Sequence, residues 1–477
     1  MYGLVIAHTV YRPRSPRNSS LWQCVCNHYS DFLGQYFSKQ ERRYGFLRPV
    51  VKEVLGKFLE CGDLSRGFAR IRCQDCRHEM LLSFSCKSRW FCPSCHQKKT
   101  QLFGEFICNE ISFPVPHCQF VFTLPKMFRP HFRYDRDLLK KLCLAVRESL
   151  RLYFRESLNL TDGEVGLVMV IQTFGDYLNF NPHIHVLAAD GLFRKSGLFH
   201  VMLGNGLKSL EEIFRDQVLK FLIHEGRTEP EFAEKIRSWR HSGFGVHRGK
   251  RIDSDDRESL ERVARYIVRN PFSQEKITYN EQTGSVIYRS KKNYLTKRNF
   301  EVFSAEDFIG AITQHIPGKF FQNIRYYGWY SNKSRGQRKA GLQDGQGSEG
   351  PKDTDVTVGV IDVHTHQSKH IPSKHWRELI KKVWEVDPMC CPKCQGEMKV
   401  VALIDCPGLI RRILEHLNLW EPINRMIRPR SPPIEEYPEA YLFPGEAAQF
   451  ALPLGAAEFA EGVDEIPPDD VPTIIYS

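Results

Sequence analysis

Asn181-Pro-His183-Ile-His185-Val-Leu-Ala188 carries two imidazoles one residue apart inside a run of β-forming residues. Side chains alternate across a strand, so His183 and His185 share one face while Ile184 and Val186 take the other. Pro182 is tolerable only at the start of such a strand. Two neutral imidazoles side by side make half of a divalent-metal site. The spacing alone is weak, since 18 histidines in 477 residues give roughly 0.7 such pairs by chance, and His364-Thr-His366 is a second one. Context separates them. The first pair follows β-forming residues and precedes the turn signal Asp190-Gly191, whereas the second lies beside a polar linker. Metal binding is therefore expected at the first pair, and ordinary satisfied histidines at the second.

A later segment supplies a nucleophile of matching chemistry. Asp253, Asp255 and Asp256 complement the positive end of a helix, and Leu260, Val263, Ala264 and Ile267 give it an apolar face before Asn270-Pro271 stops it. Tyr266 lies off the centre of that face, on a stripe with Arg262 and Asn270, each four residues away. The plain alternative is an amphipathic-edge tyrosine. A tyrosine suits attack on a phosphodiester because its phenolate also leaves readily afterwards. With an ordinary phenol pKa of about 10 it needs help, which a metal on the scissile phosphate and a nearby arginine supply.

The cysteines carry a different chemistry. Fifteen of them include three Cys-x-x-Cys pairs, where composition yields roughly half of one. Cys73-x-x-Cys76 and Cys92-Pro-Ser-Cys95 are separated by 15 residues, a spacing that fits a tetrahedral structural Zn²⁺ site of four thiolates. Cys61 and Cys86 either complete a second site or pack, and the third pair, Cys391-Pro-Lys-Cys394, lacks an obvious second knuckle. Arg70, Arg72, Lys87, Arg89, Lys98 and Lys99 surround the first two pairs, interleaved with Phe68, Phe84, Trp90 and Phe91. Such a mixture suits phosphate contact with base stacking, although some of these rings must form the module's own core.

Charge points the same way. The chain carries a net +11, and from Ser431 to the end there are ten acidic residues with no Lys or Arg, so the first 430 residues carry about +21. A strongly cationic body implies a polyanionic partner, most simply nucleic acid held through its phosphates. No cleavable signal peptide or membrane-length apolar run is expected, and clustered thiols in a reducing cytoplasm are ligands rather than disulfides.

The elements that must position these groups follow from periodicity. Tyr36 to Arg48 reads as helical, with a second short helix from Pro49 to Leu59. Cys118 to Leu124 is a continuous β-rich run, Arg136 to Phe154 is an amphipathic helix built on Leu138, Leu139, Leu142, Ala145, Val146, Leu150 and Tyr153, and Val165 to Phe174 is a second strand. With the His183 strand these make a compact α+β sheet. Helices at 207–224 and 230–239, a basic edge strand at 243–252, a hairpin around 280–284 and a helix at 308–315 follow. The stretch Arg325-Tyr326-Tyr327-Gly-Trp329-Tyr is either sheet core or a stacking surface for single-stranded DNA. Residues 332–357 read as a flexible linker, 374–386 as a helix, and the acidic, proline-rich tail as disordered.

Taken in order, Cys61-Gly, the Arg-x-Arg-Cys73 and Phe-Cys92-Pro-Ser-Cys95 knuckles, Phe122-Thr-Leu-Pro, Gln172-Thr-Phe-Gly-Asp, Asn181-Pro-His-Ile-His, the Tyr266 helix, Arg325-Tyr-Tyr-Gly-Trp-Tyr and Met389-Cys-Cys-Pro-Lys-Cys resemble insertion sequence family 91. These are rolling-circle transposases with an HUH (His, hydrophobic, His) nuclease core, and the resemblance spans about residues 61–420. It implies an α+β antiparallel-sheet HUH core, preceded by a cysteine-rich zinc module for DNA recognition and followed by a C-terminal extension. The corresponding divisions are 1–110, 111–331, a linker 332–357, an extension 358–430 and a tail 431–477.

The resemblance further implies metal-dependent cleavage and transfer of single-stranded DNA at hairpin ends of a mobile element. His183 and His185 would hold Mg²⁺ or Mn²⁺ and Tyr266 would form a 5′-phosphotyrosine link. Asn270, by helix geometry, and Gln172, from the neighbouring strand, are candidates for a third ligand. Some members carry two tyrosines one helical turn apart; Asn270 stands at that position here, which makes this the single-tyrosine type. A bacterial cytoplasmic, nucleoid-associated protein is implied, of unstated oligomeric state. The alternatives are an HUH replication initiator or relaxase, or a zinc-dependent DNA-binding protein with an inactive nuclease core.

Overall fold

The computed structural model describes residues 15–88, 90–204, 206–292, 297–343, 359–363, 366 and 387–420. Strands β1 (Phe68–Cys73) and β2 (Glu79–Ser83) form an antiparallel hairpin in the cysteine-rich region. Next come β3 (His117–Thr123), β4 (Gly166–Phe174) and β5 (Phe180–Ala189), then β6 (Gly191–Phe193), β7 (Leu198–Val201) and β8 (Gly245–Ile252). The hairpin and following strand are β9 (Ile277–Asn280), β10 (Ser285–Arg289) and β11 (Phe300–Ser304), and the last strands are β12 (Ile324–Gly328), β13 (Val360–Asp362) and β14 (Met398–Ile404).

Five of these make the central sheet, in the order β12-β4-β5-β3-β8 with every neighbour antiparallel. The His183 strand is thus the middle one, which is why it reads as apolar almost without interruption: both of its faces are covered. Phe120, Phe122, Met169, Ile171, Ile184 and Val186 bury one face under the helices Leu138–Ser157 and Leu207–His224. Val168, Val170, Leu187 and Ala189 bury the other with Leu260, Ala264 and Ile267 of the helix Arg257–Ile267. Residues 183 and 185 share the parity of Leu187, so both imidazoles lie on the face that carries the Tyr266 helix. The expected α+β antiparallel core is the observed one, and 245–252 is the edge strand anticipated from its basic, glycine-containing sequence.

Two expectations are corrected. Residues 332–343 are a helix rather than the start of a linker. Arg335 lies 5.8 Å from the Phe106 ring and 5.7 Å from Tyr326, and Arg338 lies 4.4 Å from Trp329 and 5.4 Å from Phe113. Cation–π packing onto the core orders a segment whose composition reads as flexible. The second correction concerns residues 398–404, which do not belong to a separate extension: β14 pairs antiparallel with β1, giving the sheet order β14-β1-β2. The expected helix 374–386, His364 and the acidic tail lie outside the described residues. Among the described residues no helix is long and apolar enough to cross a membrane.

Candidate metal and nucleophile site

Strand pairing assembles the polar residues of the site. In register, Gln172 of β4 and Thr123 of β3 flank His183, and Val170 and Val121 flank His185. The two imidazole centroids are 5.0 Å apart, and both rings are buried. His183 Nδ1–H donates to the Asn181 carbonyl at 2.8 Å, which directs Nε2 away from the strand. The Gln119 side-chain amide sits 3.0 Å from His185 Nδ1, while His185 Nε2 is buried with no hydrogen-bond partner. Burial pushes the His183 imidazole down to about 4 and His185 well below the ordinary histidine range, with the Arg269 charge adding to both shifts. Both rings are therefore held in the neutral form that ligates metal.

The Tyr266 ring stands 5.7 Å from His185 at a near-perpendicular 85°. Its helix is fixed at the start by Asp256, whose carboxylate accepts from the Ser259 N–H at 3.0 Å. At the other end Gln172 Nε2–H donates to the Ile267 carbonyl at 2.7 Å, leaving Gln172 Oε1 buried and unpartnered. One side chain thus ties the histidine face of the sheet to the last turn of the tyrosine helix. A second tie comes from the cysteine-rich region. His96, buried beside Cys95, accepts from the Trp90 N–H at 3.2 Å and donates to the Val268 carbonyl at 2.5 Å. No spacing rule in the sequence signals that residue.

Two expected neighbours of Tyr266 are displaced. Arg262 is exposed and turns back to Ser259 Oγ at 2.7 Å, with Glu258 3.6 Å away. Helical side chains lean toward the N-terminus, so Arg262, one turn before Tyr266, leans away from it. Arg269 lies in the turn just after the helix, its N–H on the Tyr266 carbonyl at 3.2 Å, and reaches back, its guanidinium 4.6 Å from the Tyr266 ring centroid and 5.4 Å from Phe174. Asn270 is not one helical turn along, because the helix ends at Ile267, as the restriction on a residue preceding Pro271 requires. Its Oδ1 and Nδ2 are nevertheless both buried without a partner. Two imidazole nitrogens with an amide oxygen from Gln172 or Asn270 would make a mixed donor set, one that suits Mn²⁺ better than the harder Mg²⁺.

Arg325, Tyr326, Tyr327 and Trp329 fall on and just after the edge strand β12. Trp329 is stacked flat on Phe193 at 5.0 Å and covered by Arg338, Tyr326 meets Phe106 edge-on, and Tyr327 packs against the core under the long helices. Of the two readings left open for these rings, sheet core is the one their contacts match.

The four cysteines expected to share one zinc do not meet. Cys92 and Cys95 join Cys61 and Cys86, while Cys73 and Cys76 join Cys391 and Cys394, and within each group the sulfurs all lie within 4.8 Å of one another. In the first group, pairs are separated by 4.0, 3.9 and 3.5 Å. A tetrahedral zinc with bonds of about 2.3 Å spaces its sulfurs about 3.8 Å apart, whereas a disulfide needs about 2.0 Å. The group fits zinc. The error in the expectation is physical: β1 and β2 carry the first knuckle outward to the sheet's far end, and the helix Pro93–Phe106 carries the second inward to Cys61.

Comparison with known proteins bears on the family of the chain. A family model described as a transposase zinc-binding domain matches residues 28–124, and one described as a putative transposase matches 166–338. The transposase for insertion sequence element IS801 of Pseudomonas savastanoi pv. phaseolicola is 25% identical over 76% of this chain and 85% of its own length. A putative transposase, y4qJ, of Sinorhizobium fredii is 22% identical over 79% of this chain and 95% of its own. Among solved structures, the origin-recognition/nickase domain of human bocavirus non-structural protein 1 matches 46% of this chain and 88% of that one, at 14% identity and a TM-score of only 0.19. With a transposase zinc-binding domain followed by a transposase domain, and with similarity to an insertion-sequence transposase over three quarters of its length, the chain belongs to the insertion sequence family 91 transposases.

Proposed function

We propose that this transposase nicks and transfers single-stranded DNA at hairpin ends of its element through a covalent bond to Tyr266. The observation that carries the reading is the juxtaposition of a phenol ring 5.7 Å from His185 with a His185 Nε2 that is buried and unpartnered. A divalent cation held by His183, His185 and the amide of Gln172 or Asn270 would supply Lewis-acid polarisation of the scissile phosphate. The protein does the rest. The Tyr266 oxygen attacks phosphorus, the P–O3′ bond breaks, and the phenol's proton ends on the departing 3′-oxygen by way of solvent. The products are a 5′-phosphotyrosine link and a free 3′-hydroxyl, which could prime replacement synthesis. Transfer is the reverse attack by a second 3′-hydroxyl, with phenolate leaving. Arg269, beside the phenol, faces the charge that develops on the phosphate.

The test uses full-length protein, Mn²⁺ and a hairpin oligonucleotide labelled on its 3′ side. A label that stays with the protein through denaturation, together with an extendable 3′-hydroxyl on the other fragment, is the expected result. A free 5′-phosphate without an adduct would mean that water is the nucleophile. The two arginines should also separate in this assay: Arg269→Met is expected to slow nicking about 10²-fold, and Arg262→Met by less than about twofold. Equal effects would remove Arg269 from the site.

A further inference from the structure

We infer that Cys73, Cys76, Cys391 and Cys394 bind a second structural zinc, and that this ion clasps the C-terminal segment onto the N-terminal zinc module. Cys76 and Cys391 are 315 positions apart in sequence, yet their sulfurs are 3.5 Å apart, and Cys73 and Cys394 sulfurs are 3.4 Å apart. These separations are close to the edge of a tetrahedral four-thiolate site, about 3.8 Å, and far beyond a disulfide. Each pair sits in its own tight turn: Cys73 N–H donates to the His78 carbonyl at 2.8 Å, and Cys391 N–H to the Gly396 carbonyl at 2.9 Å. The turns are pressed together backbone to backbone, with Gln74 N–H on the Glu397 carbonyl at 3.2 Å. Gly396 faces the other turn directly: a Cβ there would stand 1.9 Å from Asp75 Oδ2. The Lys393 N–H points at Cys391 Sγ from 3.4 Å, the contact expected of a thiolate ligand.

The packing around the cluster explains why an ion is needed. Its fully buried residues are Ile71, Cys73, Cys391 and Met398, flanked by Met80, Leu82 and Met389. So small a core gives the two turns little apolar burial of their own, and metal binding supplies folding energy there, while Phe68 and Ile404 pack the far end of the β1–β14 pair. Cys390, adjacent in sequence, is not part of the site; its sulfur turns to the Gln395 carbonyl at 3.4 Å.

The test needs no DNA. Full-length protein prepared with zinc should hold two ions per chain, and Cys391→Ser/Cys394→Ser should hold one. Cys76, Cys394 and Cys406 are all exposed, so iodoacetamide with peptide mapping reports ligation directly in the unmodified protein. Cys76 and Cys394 should react at least about tenfold more slowly than Cys406, and chelation should release both together. One zinc in the wild type, two in the double variant, or alkylation of Cys76 and Cys394 at the rate of Cys406 would each overturn the clasp. The alkylation comparison decides the question even if the double variant fails to fold.

Discussion

Tyr266→Phe is expected to eliminate the covalent protein–DNA adduct and to lower nicking by roughly 10⁴-fold or more, the scale on which removal of a covalent nucleophile acts. The substitution deletes one oxygen and keeps the ring that packs against His185 and under Arg269. Among the described residues the hydroxyl makes no hydrogen bond within the protein, and the ring is only half-buried, so thermal stability should change by less than about 0.5 kcal/mol. DNA binding should persist, because the strongly cationic body provides it. Measuring adduct on a denaturing gel, melting temperature and DNA affinity on the same preparation separates a chemical role from a structural one. Wild-type adduct in the variant would reject Tyr266 as the nucleophile.

The sequence made the halves of this site legible because each half is local. His183 and His185 lie on one strand, and strand parity alone puts them on one face. The Tyr266 helix announces itself by Leu260, Ala264 and Ile267 and by its aspartate start. Which cation accompanies the tyrosine was not legible from i and i+4 spacing: the tilt of Cα–Cβ bonds toward the helix start takes Arg262 away, and the turn that follows Ile267, which no spacing rule encodes, brings Arg269 over the ring. Asn270 was misplaced because Pro271 ends the helix early, leaving the amide buried by the loop instead of the helix.

The cysteines illustrate a second kind of blindness. A Cys-x-x-Cys knuckle encodes two ligands and nothing about its partner, so proximity in sequence favoured pairing Cys73 and Cys76 with Cys92 and Cys95. The actual partners depend on β14 joining β1, a contact between residues more than 300 positions apart. The same limit hid the tie from His96 to the Val268 carbonyl, through which the first cysteine cluster reaches the tyrosine helix. One consequence is that the cysteine-rich region and the Tyr266 helix are packed as one unit: the helix Pro93–Phe106 lies against Arg257–Ile267, close enough that a Cβ at Gly104 would meet Arg265 Cγ at 2.8 Å.

His185→Ala should reduce metal-dependent nicking by about 10³-fold or more and abolish Mn²⁺ binding at the site, while leaving DNA binding in place. His185 is 3% exposed, and Ala would open a cavity and strand the Gln119 amide, at a cost of about 1–3 kcal/mol. Part of that cost is offset, because the substitution also removes a buried Nε2 that has no partner in the protein. A fall in stability is therefore not by itself informative, and the variant must be compared with Tyr266→Phe. Both should fail to nick, but Tyr266→Phe should retain Mn²⁺ binding, followed by titration calorimetry, and His185→Ala should lose it. His183→Ala should behave as His185→Ala does, since its Nδ1 is committed to the Asn181 carbonyl and Nε2 alone remains for a cation. If His185→Ala binds Mn²⁺ as the wild type does and still nicks, the paired imidazoles are structural. The orphaned Nε2 and Gln172 Oε1 would then be defects of the core rather than the two ends of a metal site.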